Sequence, residues 1–338
     1  MILACDVGGT KTNLGLLESR GAALEITRLQ TFKSREHVSL DEILIAFLGG
    51  DAVPLEAAGF GVAGPVIGGR AITTNLPWRI DAQQLSDRLG LPAVALINDV
   101  EALAWAVDRL ADDHLLTLQP GASGDGNVAV IAAGTGLGFS ALARSGGSAI
   151  SLASEGGHAD FAARSALEAD LLAFLRSRHG HVSVERVVSG PGLVNLYEFL
   201  RASEGNPEPE WLGSELRKGD PAAAISRAAV SGRSATCGRA VDLFLEIYGA
   251  ETGNWALRTL ATGGIYLGGG IAAKVLGASS GPSDAWRERA RGLFLKGFLE
   301  KGRFRALLET VPVRVIVDEH APLIGAAHCA VATLSALR

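Results

Sequence analysis

Cysteine, methionine, aromatic residues and long apolar runs are all scarce in this chain of 338 residues. It has three cysteines, one methionine and 6% aromatic residues. Cys5, Cys237 and Cys329 are too few and too far apart for a disulfide framework or a cysteine-based zinc site, so we expect reduced thiols. No apolar stretch reaches the roughly 20 residues that cross a bilayer, and no signal peptide precedes the first apolar run. The sequence therefore predicts a cytoplasmic protein without a membrane segment.

An excess of positive charge is also missing. The chain has 31 Lys and Arg against 36 Asp and Glu, which gives a formal net charge of −5. Proteins that bind nucleic acid usually present a basic surface to the phosphates, so this balance argues against a nucleic-acid partner. The 48% hydrophobic and 20% charged residues exclude a mainly disordered chain. At about 100–200 residues per domain, the length predicts two domains.

Glycine, by contrast, is abundant, with 43 residues, many of them in short clusters inside apolar segments. The chain begins as strand, turn and strand: Ile2–Val7, then Gly8-Gly9-Thr10, then an apolar run over 13–18. The same pattern returns at Val128–Ala133, followed by Gly134–Gly138 and a run over 139–143. This repetition indicates two related halves, and strands mixed with helical patterns at this spacing predict α/β layers.

The two glycine turns have the chemistry of phosphate cradles. Glycines let backbone N–H groups turn inward with no Cβ in the way, and Asp6 at a strand end could hold Mg²⁺ through water. A third cluster, Gly268–Gly270, follows a strand and suits close approach to a nucleotide base or ribose. Taken singly, each cluster also fits a plain hairpin turn or simple helix–strand packing. A P-loop is excluded because no Gly-Lys pair exists in the chain.

Polar residues at two further places suit a ligand site. Asn98 and Asp99 close a short apolar strand, where open α/β folds hold their ligands, although both residue types also cap helices well. Glu155 and His158 are separated by two glycines that can turn both side chains into one pocket. A carboxylate and an imidazole at that spacing fit vicinal hydroxyls, a metal or an ordinary surface turn.

These features together resemble a known family. The order of Asp6–Thr10, Asn98-Asp99, Gly134–Gly138, Glu155–His158 and Gly268–Gly270 is that of sugar kinases with the actin-like ATPase fold. More narrowly, the chain resembles the bacterial glucokinases of the proteobacterial type. The supporting stretches are 74–78, 97–99, 155–161, 185–197 and 301–304. Related ROK proteins carry a cysteine-rich zinc motif after a histidine, and nothing after His158 supplies those cysteines.

The resemblance implies an α/β fold of the two-domain actin-like ATPase type (ribonuclease H-like), with mixed sheets and an interdomain cleft. The smaller domain would comprise residues 1–108 plus a C-terminal helix within 322–338, and the larger domain residues 109–321. The implied activity is ATP-dependent phosphorylation of glucose at its 6-hydroxyl, a step that feeds glycolysis. We also expect a homodimer, with Mg²⁺ arriving on ATP and no metal of the protein's own.

Roles follow by resemblance for individual positions. Asp99 would be the catalytic base. The sugar would be held by Asn75, Asn98, Asp99, Glu155, His158 and Glu185. The ATP phosphates would lie against Asp6, Val7, Gly8, Gly9, Thr10, Gly134, Thr135 and Gly136, and the adenosine against Gly268, Gly269 and Gly270. Lys11 departs from the family, in which Asn is more frequent at this position.

Other functions remain open at this point. A kinase for mannose, fructose or an N-acetylhexosamine fits the same residues, as does polyphosphate in place of ATP. A sugar-sensing transcriptional regulator on the same fold would need a DNA-binding segment, and no basic helix precedes Asp6. An actin-like or chaperone-like ATPase would lack the sugar carboxylates.

Overall fold

A computed structural model describes residues 1–20, 23–49, 53–73, 76–122, 124–276 and 283–337. Its strands are β1 Ile2–Val7, β2 Lys11–Arg20, β3 Ala23–Lys33, β4 Ala57–Val62, β5 Val66–Ile67, β6 Arg70–Ile72, β7 Arg79–Asp81, β8 Ala95–Asn98, β9 Leu115–Gln119, β10 Val128–Ala133, β11 Leu137–Ser145, β12 Ser148–Ser154, β13 Gly264–Gly268 and β14 Val313–Ile316. Its helices are α1 Leu40–Leu48, α2 Ala82–Leu89, α3 Asp99–Ala106, α4 Ala166–His179, α5 Gly190–Glu204, α6 Glu210–Lys218, α7 Pro221–Val230, α8 Ala235–Thr259, α9 Gly269–Val275, α10 Asp284–Leu299, α11 Arg305–Glu309 and α12 Ala321–Ala336. Within these ranges no helix is both long and apolar enough to cross a membrane.

Two large sheets repeat one strand order. The N-terminal sheet runs β3-β2-β1-β4-β8, and the central sheet runs β12-β11-β10-β13-β14-β9. In each sheet the first three strands form an antiparallel meander, and the next two lie parallel to its first strand (β1 or β10). The duplication expected from the two strand–turn–strand units is therefore confirmed. A small sheet, β5-β6-β7, accompanies the N-terminal sheet.

Helices α3 and α12 form a layer that both sheets share. Helix α3 contacts β4 and β8 on one side and β10, β11 and β12 on the other, while α12 packs on β1, β4 and α3. Every residue of α3 after Asp99 is buried, because sheets or α12 cover it on all sides. Helices α1 and α2 contribute to a separate core on the other face of the N-terminal sheet, and α4 to α10 surround the far side of the central sheet. The proposed domain limits stay a prediction.

Two glycines let α12 lie directly on its neighbours. A Cβ on Gly59 of β4 would lie 2.0 Å from the carbonyl oxygen of Ala326, and a Cβ on Gly325 would lie 1.7 Å from that of Ala102. Both contacts are with backbone, which cannot rotate away. The layer between the sheets therefore depends on hydrogen in place of a side chain at these positions.

We expect Gly325→Ala to destabilise the protein by about 1–3 kcal/mol, the usual cost of overpacking a close-packed core. Gly292 is the matched control, because it lies inside α10 with open space around its Cβ position. Gly292→Ala should be neutral or stabilising by up to about 1 kcal/mol, since alanine is the better helix former. Urea unfolding of both variants measures the difference. Equal stability of the two variants would mean that α3 and α12 are not in backbone contact.

Candidate active site

A cavity of about 850 Å³ lies between the two large sheets. It is formed where the parallel strands of both sheets end, the usual place for ligands in open α/β folds. The predicted site residues that line it are Asp6, Asn98, Asp99, Gly134, Thr135, Gly136, Glu155, His158, Glu185, Gly268, Gly269 and Gly270. Residues as far apart in sequence as Asp6 and Gly270 thus surround one space large enough for a sugar and a phosphate group.

Asn98 and Asp99 divide two tasks at the start of α3. Asn98 is the N-cap: its Oδ1 accepts a hydrogen bond from the N–H of Val100 at 2.9 Å, and its Nδ2 donates to the carbonyl oxygen of Gly64 at 3.0 Å. Asp99 is the first helical residue and is half-buried at the cavity. Asn98 therefore performs the capping, and Asp99, whose Oδ1 also accepts the N–H of Val100 at 2.9 Å, lines the cleft.

The pKa of Asp99 is raised to about 6. Burial is the main cause, since it disfavours the charged form, and the nearby charge of Asp6 adds to it. The pKa of Asp6 is itself raised by burial, while a hydrogen bond from Asn13 at 3.2 Å and the charge of His320 lower it. Asp99 therefore holds its proton more tightly than an ordinary aspartate.

The first glycine turn is a hairpin between β1 and β2. The N–H of Gly8 donates to the carbonyl oxygen of Lys11 at 2.9 Å, and Ser34 Oγ donates to the carbonyl oxygen of Gly8 at 2.7 Å. A hydrogen bond of 2.9 Å joins the hydroxyls of Ser34 and Thr12. Val7 ends β1, and Gly8, Gly9 and Thr10 form the turn; all four lie next to Asp6 in sequence but are not among the described residues that line the cavity. Ser34 fixes the turn and had no signal of its own in the sequence.

The second glycine turn joins β10 to β11 and is held by a distant segment. Oε2 of Glu185 accepts a hydrogen bond from the N–H of Leu137 at 2.9 Å, and the N–H of Gly190 donates to the carbonyl oxygen of Gly134 at 2.8 Å. A Cβ on Gly136 would lie 2.7 Å from Oε2 of Glu185. The Ser-Gly-Pro-Gly-Leu stretch begins α5 at this point, with Ser189 as its N-cap. Glu185 therefore shapes the turn as well as facing the cavity.

Glu155 precedes a short 3₁₀ turn after β12, Gly156–His158, and His158 is its last residue. Gly157 between them is buried against β11, where a Cβ would lie 2.0 Å from the carbonyl oxygen of Leu137. Both side chains are exposed and line the cavity. The two glycines thus bring an imidazole and a carboxylate to the same space. The segment is a turn at the surface, and its side chains also line the cavity.

Gly268–Gly270 connects β13 to α9 and borders a second cavity of about 670 Å³. Gly269 has φ of +79°, and a Cβ there would lie 2.3 Å from the carbonyl oxygen of Ala133, so only glycine fits. The second cavity shares Gly134, Thr135 and Gly270 with the first. Its other walls are largely apolar and come from α5, α7 and α9: Pro191, Leu193, Val194, Pro221, Ala222, Ile271 and Val275. A ligand with a flat apolar group attached to phosphates would fit with its phosphates in the first cavity and its apolar group in the second.

Some residues of the cavity were not anticipated from sequence. Gly64 and Pro65 follow β4, and Asp318 and Glu319 follow β14, at the same edge as the expected residues. The strand-end rule places them at this edge only once the pairing of β4 and β14 within their sheets is known. Glu101 completes a capping box by accepting the N–H of Asn98 at 3.1 Å, which its Asn-x-x-Glu spacing signals. The predicted sugar contact Asn75 lies outside the described residues.

No group of three or more His, Cys, Asp and Glu residues is placed to hold a metal ion in the described ranges of the chain. At the cavity, Asp6 has a carboxylate whose Oδ2 accepts the hydrogen bond from Asn13. Hard oxygen donors of this kind suit Mg²⁺ that is held mainly by phosphates and water.

Two duplicated sheets with a cleft between them, two glycine hairpins, and carboxylates converging on the cleft define the class of sugar kinases with the actin-like ATPase fold. Solved structures agree with this class. The glucokinase of an Antarctic psychrotroph superposes with a TM-score of 0.83 at 31% identity, over 97% of this chain and 98% of that one. A ROK family glucokinase from Streptomyces griseus, solved with glucose and AMPPNP, superposes with a TM-score of 0.61 at 22% identity, over 97% and 98%, and shares the fold.

Sequence comparisons identify the family within this class. The family model described as Glucokinase matches residues 3–333. A glucokinase from Nostoc sp. is 40% identical over 347 residues, which cover 98% of both chains. The chain belongs to the glucokinase family, as the motifs predicted.

Proposed function

We propose that this protein transfers the γ-phosphoryl group of ATP to the 6-hydroxyl of D-glucose and so supplies glucose 6-phosphate to glycolysis. One observation carries the proposal: Asp99, with a raised pKa, shares a cavity with Glu155, His158 and Glu185 and with the second glycine hairpin. Membership of the glucokinase family supports it. So do related structures, one of which holds glucose and AMPPNP.

The sugar would lie among Asn98, Asp99, Glu155, His158 and Glu185. A hexose presents hydroxyls around its whole ring, and three carboxylates, an amide and an imidazole supply both acceptors and donors for them. A site that binds hydroxyls in this way rejects analogues that lack them, since its own polar groups are then left unpaired. We include Asn75 as a further sugar contact on the strength of the family resemblance alone.

The nucleotide would extend from one cavity into the other. Its phosphates would lie against the second hairpin, Gly134–Gly136, with the first hairpin, Gly8–Thr10, approaching from the other sheet. Adenosine would enter the apolar second cavity beside Gly268–Gly270. Mg²⁺ would neutralise the charge developing on the phosphates, with Asp6 holding it directly or through water.

Asp99 would accept the proton that the 6-hydroxyl loses during transfer. In phosphoryl transfer a protein contributes mainly by positioning the reactants and stabilising charge. The proton of the attacking hydroxyl leaves late in a loose transition state. The pKa of about 6 makes Asp99 a stronger base than an ordinary carboxylate while leaving it mostly ionised at neutral pH. Closure of the cleft over the sugar would exclude water, which competes as a nucleophile.

Truncation of the sugar pocket tests the proposal. We expect Glu155→Ala and His158→Ala each to raise the KM for glucose and to lower kcat/KM by about 100-fold or more, because bound hydroxyls lose their partners. His181→Ala is the matched control, since His181 is an exposed histidine that pairs with Asp160 at 2.8 Å and does not line the cavity. A coupled assay measures the glucose KM and kcat/KM of all three variants. Unchanged glucose KM in both test variants would return this segment to the status of a surface turn.

The same assay separates the other candidate substrates. Mannose, fructose and N-acetylhexosamines are run beside glucose, and polyphosphate beside ATP. Glucose with ATP should give the highest kcat/KM. A different hexose or donor in first place would replace the proposed substrate while keeping the kinase chemistry.

We further propose that the enzyme acts in the cytoplasm as a homodimer. Its smaller domain would be residues 1–108 with 322–338, and its larger domain residues 109–321. Packing of α12 on the N-terminal sheet supports this division, because the end of the chain then belongs to the same body as its beginning.

A further inference from the structure

The outer strand of the central sheet has an unusual composition for an edge. Strand β12, Ser148–Ser154, reads Ser-Ala-Ile-Ser-Leu-Ala-Ser and has no charged residue and no proline. It lies at the end of the strand order, next to β11 alone. Ile150 and Leu152 are exposed to 68% and 45%. Native proteins usually protect edge strands with charge, proline or a bulge, because an open edge can pair with another chain.

The equivalent strand of the other sheet has that protection. Strand β3 is the third strand of the N-terminal meander, as β12 is of the central one. It contains Glu25, Arg28 and Lys33, and its pairing with β2 has a register irregularity. The pairing of β12 with β11 runs without a shift over seven residue pairs. The two large sheets therefore differ at this edge: β3 is protected against pairing with another chain, and β12 is not.

The sequence of β12 is self-complementary about its centre. Read in reverse it becomes Ser-Ala-Leu-Ser-Ile-Ala-Ser, so an antiparallel pair of β12 strands centred on Ser151 matches like with like. Ser151 faces its own copy, Ala149 faces Ala153, and Ile150 faces Leu152. A two-fold dimer needs a surface that is complementary to itself in this way.

The backbone has the phase that this register requires. The turn between β11 and β12 has two residues, Gly146 and Gly147, both with positive φ, so the flanking Ser145 and Ser148 form a hydrogen-bonded pair. Hydrogen-bonded and non-hydrogen-bonded pairs then alternate along β12. The N–H and C=O groups of Ala149, Ser151 and Ala153 therefore face away from β11. These three residues pair with one another in the centred register, which leaves Ile150 and Leu152 in the closer, non-hydrogen-bonded pairs.

We propose that β12 is the dimer interface: two copies of the chain pair through this strand, antiparallel and centred on Ser151, and join their central sheets into one. No charge on either strand opposes the approach, and the exposed Ile150 and Leu152 cover each other across the two-fold axis. This inference rests on the proposed homodimer and names its surface. Glu155 follows β12 directly, so the partner strand lies beside the segment that delivers Glu155 and His158 to the cleft.

Sedimentation of the full chain tests the surface. The molecular mass that sedimentation gives for the wild type should be twice the 35.0 kDa of one chain. Ile150→Lys or Leu152→Lys should raise the dimer dissociation constant by about 100-fold or more, since a charge then meets an aliphatic side chain and its own copy lies nearby. Ile72→Lys is the matched control, because Ile72 is also a strand residue and is 67% exposed. It should leave the dimer intact.

Cross-linking tests the register without adding charge. Chains with Ile150→Cys and chains with Leu152→Cys, mixed and gently oxidised, should form a disulfide-linked dimer, because opposed residues lie about 4.5–5.5 Å apart. Either variant alone should cross-link at least about tenfold less, since its cysteines are then diagonal, about 7–8 Å apart. The native Cys5, Cys237 and Cys329 are buried and do not compete.

The outcomes separate the two proposals. A wild-type chain that sediments as a monomer overturns both the homodimer and this interface. A dimer that survives Ile150→Lys and Leu152→Lys, or that cross-links equally well in the single-variant samples, keeps the homodimer and overturns the β12 interface. Glucose phosphorylation by the wild type is assayed separately, so its failure would bear on the activity alone.

Discussion

Replacement of Asp99 by Asn is expected to lower kcat by at least about 100-fold, the lower end for loss of a general base. The variant keeps shape and hydrogen-bonding capacity but removes the charge and most of the acceptor strength. Glucose should still bind within about tenfold of the wild type, or roughly 1.4 kcal/mol. Helix α3 should begin normally, because its N-cap is Asn98. Turnover, glucose affinity and melting temperature are measured on this one variant.

The pH dependence provides the internal control for Asp99. Since its pKa of about 6 lies above that of an unfolded aspartate, kcat/KM of the wild type should rise with pH through about 6 as the base loses its proton. Stability runs the opposite way. The folded state holds this proton more tightly than the unfolded state, so the contribution of Asp99 to stability is full at low pH and is lost as pH rises through about 6. The melting temperature of Asp99→Asn minus that of the wild type should therefore be larger at about pH 8 than at about pH 4. Near-normal turnover in this variant would end the assignment of Asp99 as base.

Replacement of Gly136 by Val is expected to impair both substrates, with kcat/KM lower by about 100-fold or more. A glycine hairpin that only cradled phosphates would lose ATP affinity alone. Here the added Cβ would lie 2.7 Å from Oε2 of Glu185, the oxygen that accepts the N–H of Leu137. The side chain must displace Glu185, which moves a sugar contact and the hairpin together, and displacements of about 1 Å cost this much in an active site.

Gly134→Ala is the comparison variant for Gly136→Val. A Cβ on Gly134 meets nothing within 4 Å and points into open space of the same turn. It should change ATP affinity while glucose affinity stays within about twofold, as for a substitution that disturbs no contact. Calorimetric titration of each variant with glucose in the absence of nucleotide measures this difference. Normal glucose binding by Gly136→Val would show that Glu185 does not depend on the turn.

Local patterns predicted the parts of the fold that are decided locally. Strands Ile2–Val7 and Val128–Ala133 have the bounds expected from sequence, because each is an apolar run that stops at a glycine pair or turn. The glycine clusters and Asn98-Asp99 were placed at strand ends, and strand ends of parallel sheets meet at one edge. That rule is sufficient to bring Asp6, Asp99 and Gly134 to one cavity.

Long-range relationships could not be predicted in the same way. Strands β3 and β12 were not anticipated from sequence, since each is completed by pairing with a meander neighbour. The polar, glycine- and proline-containing stretch 277–284 predicts a loop; Asp284 instead begins α10, and residues 277–282 lie outside the described residues. The spacing of apolar residues from Val100 to Leu110 predicts a helix over that whole range, whereas α3 ends at Ala106. The bond from Glu185 to Leu137 joins residues 48 positions apart, a distance over which sequence periodicity holds no information.

The position of α12 has a consequence for how the protein is made. This helix covers β1 and β4, strands that leave the ribosome more than 250 residues earlier. Until α12 is synthesised, the apolar face of the N-terminal sheet at β1 and β4 lacks its main cover and has only α3 beside it, whereas the central sheet already has β9 to β14 and helices α4 to α10. Domains usually fold as units during synthesis, the earliest first. In this chain the order is reversed: the segment translated first must wait for the segment translated last, and a chain that stops short of residue 321 should expose that face and aggregate.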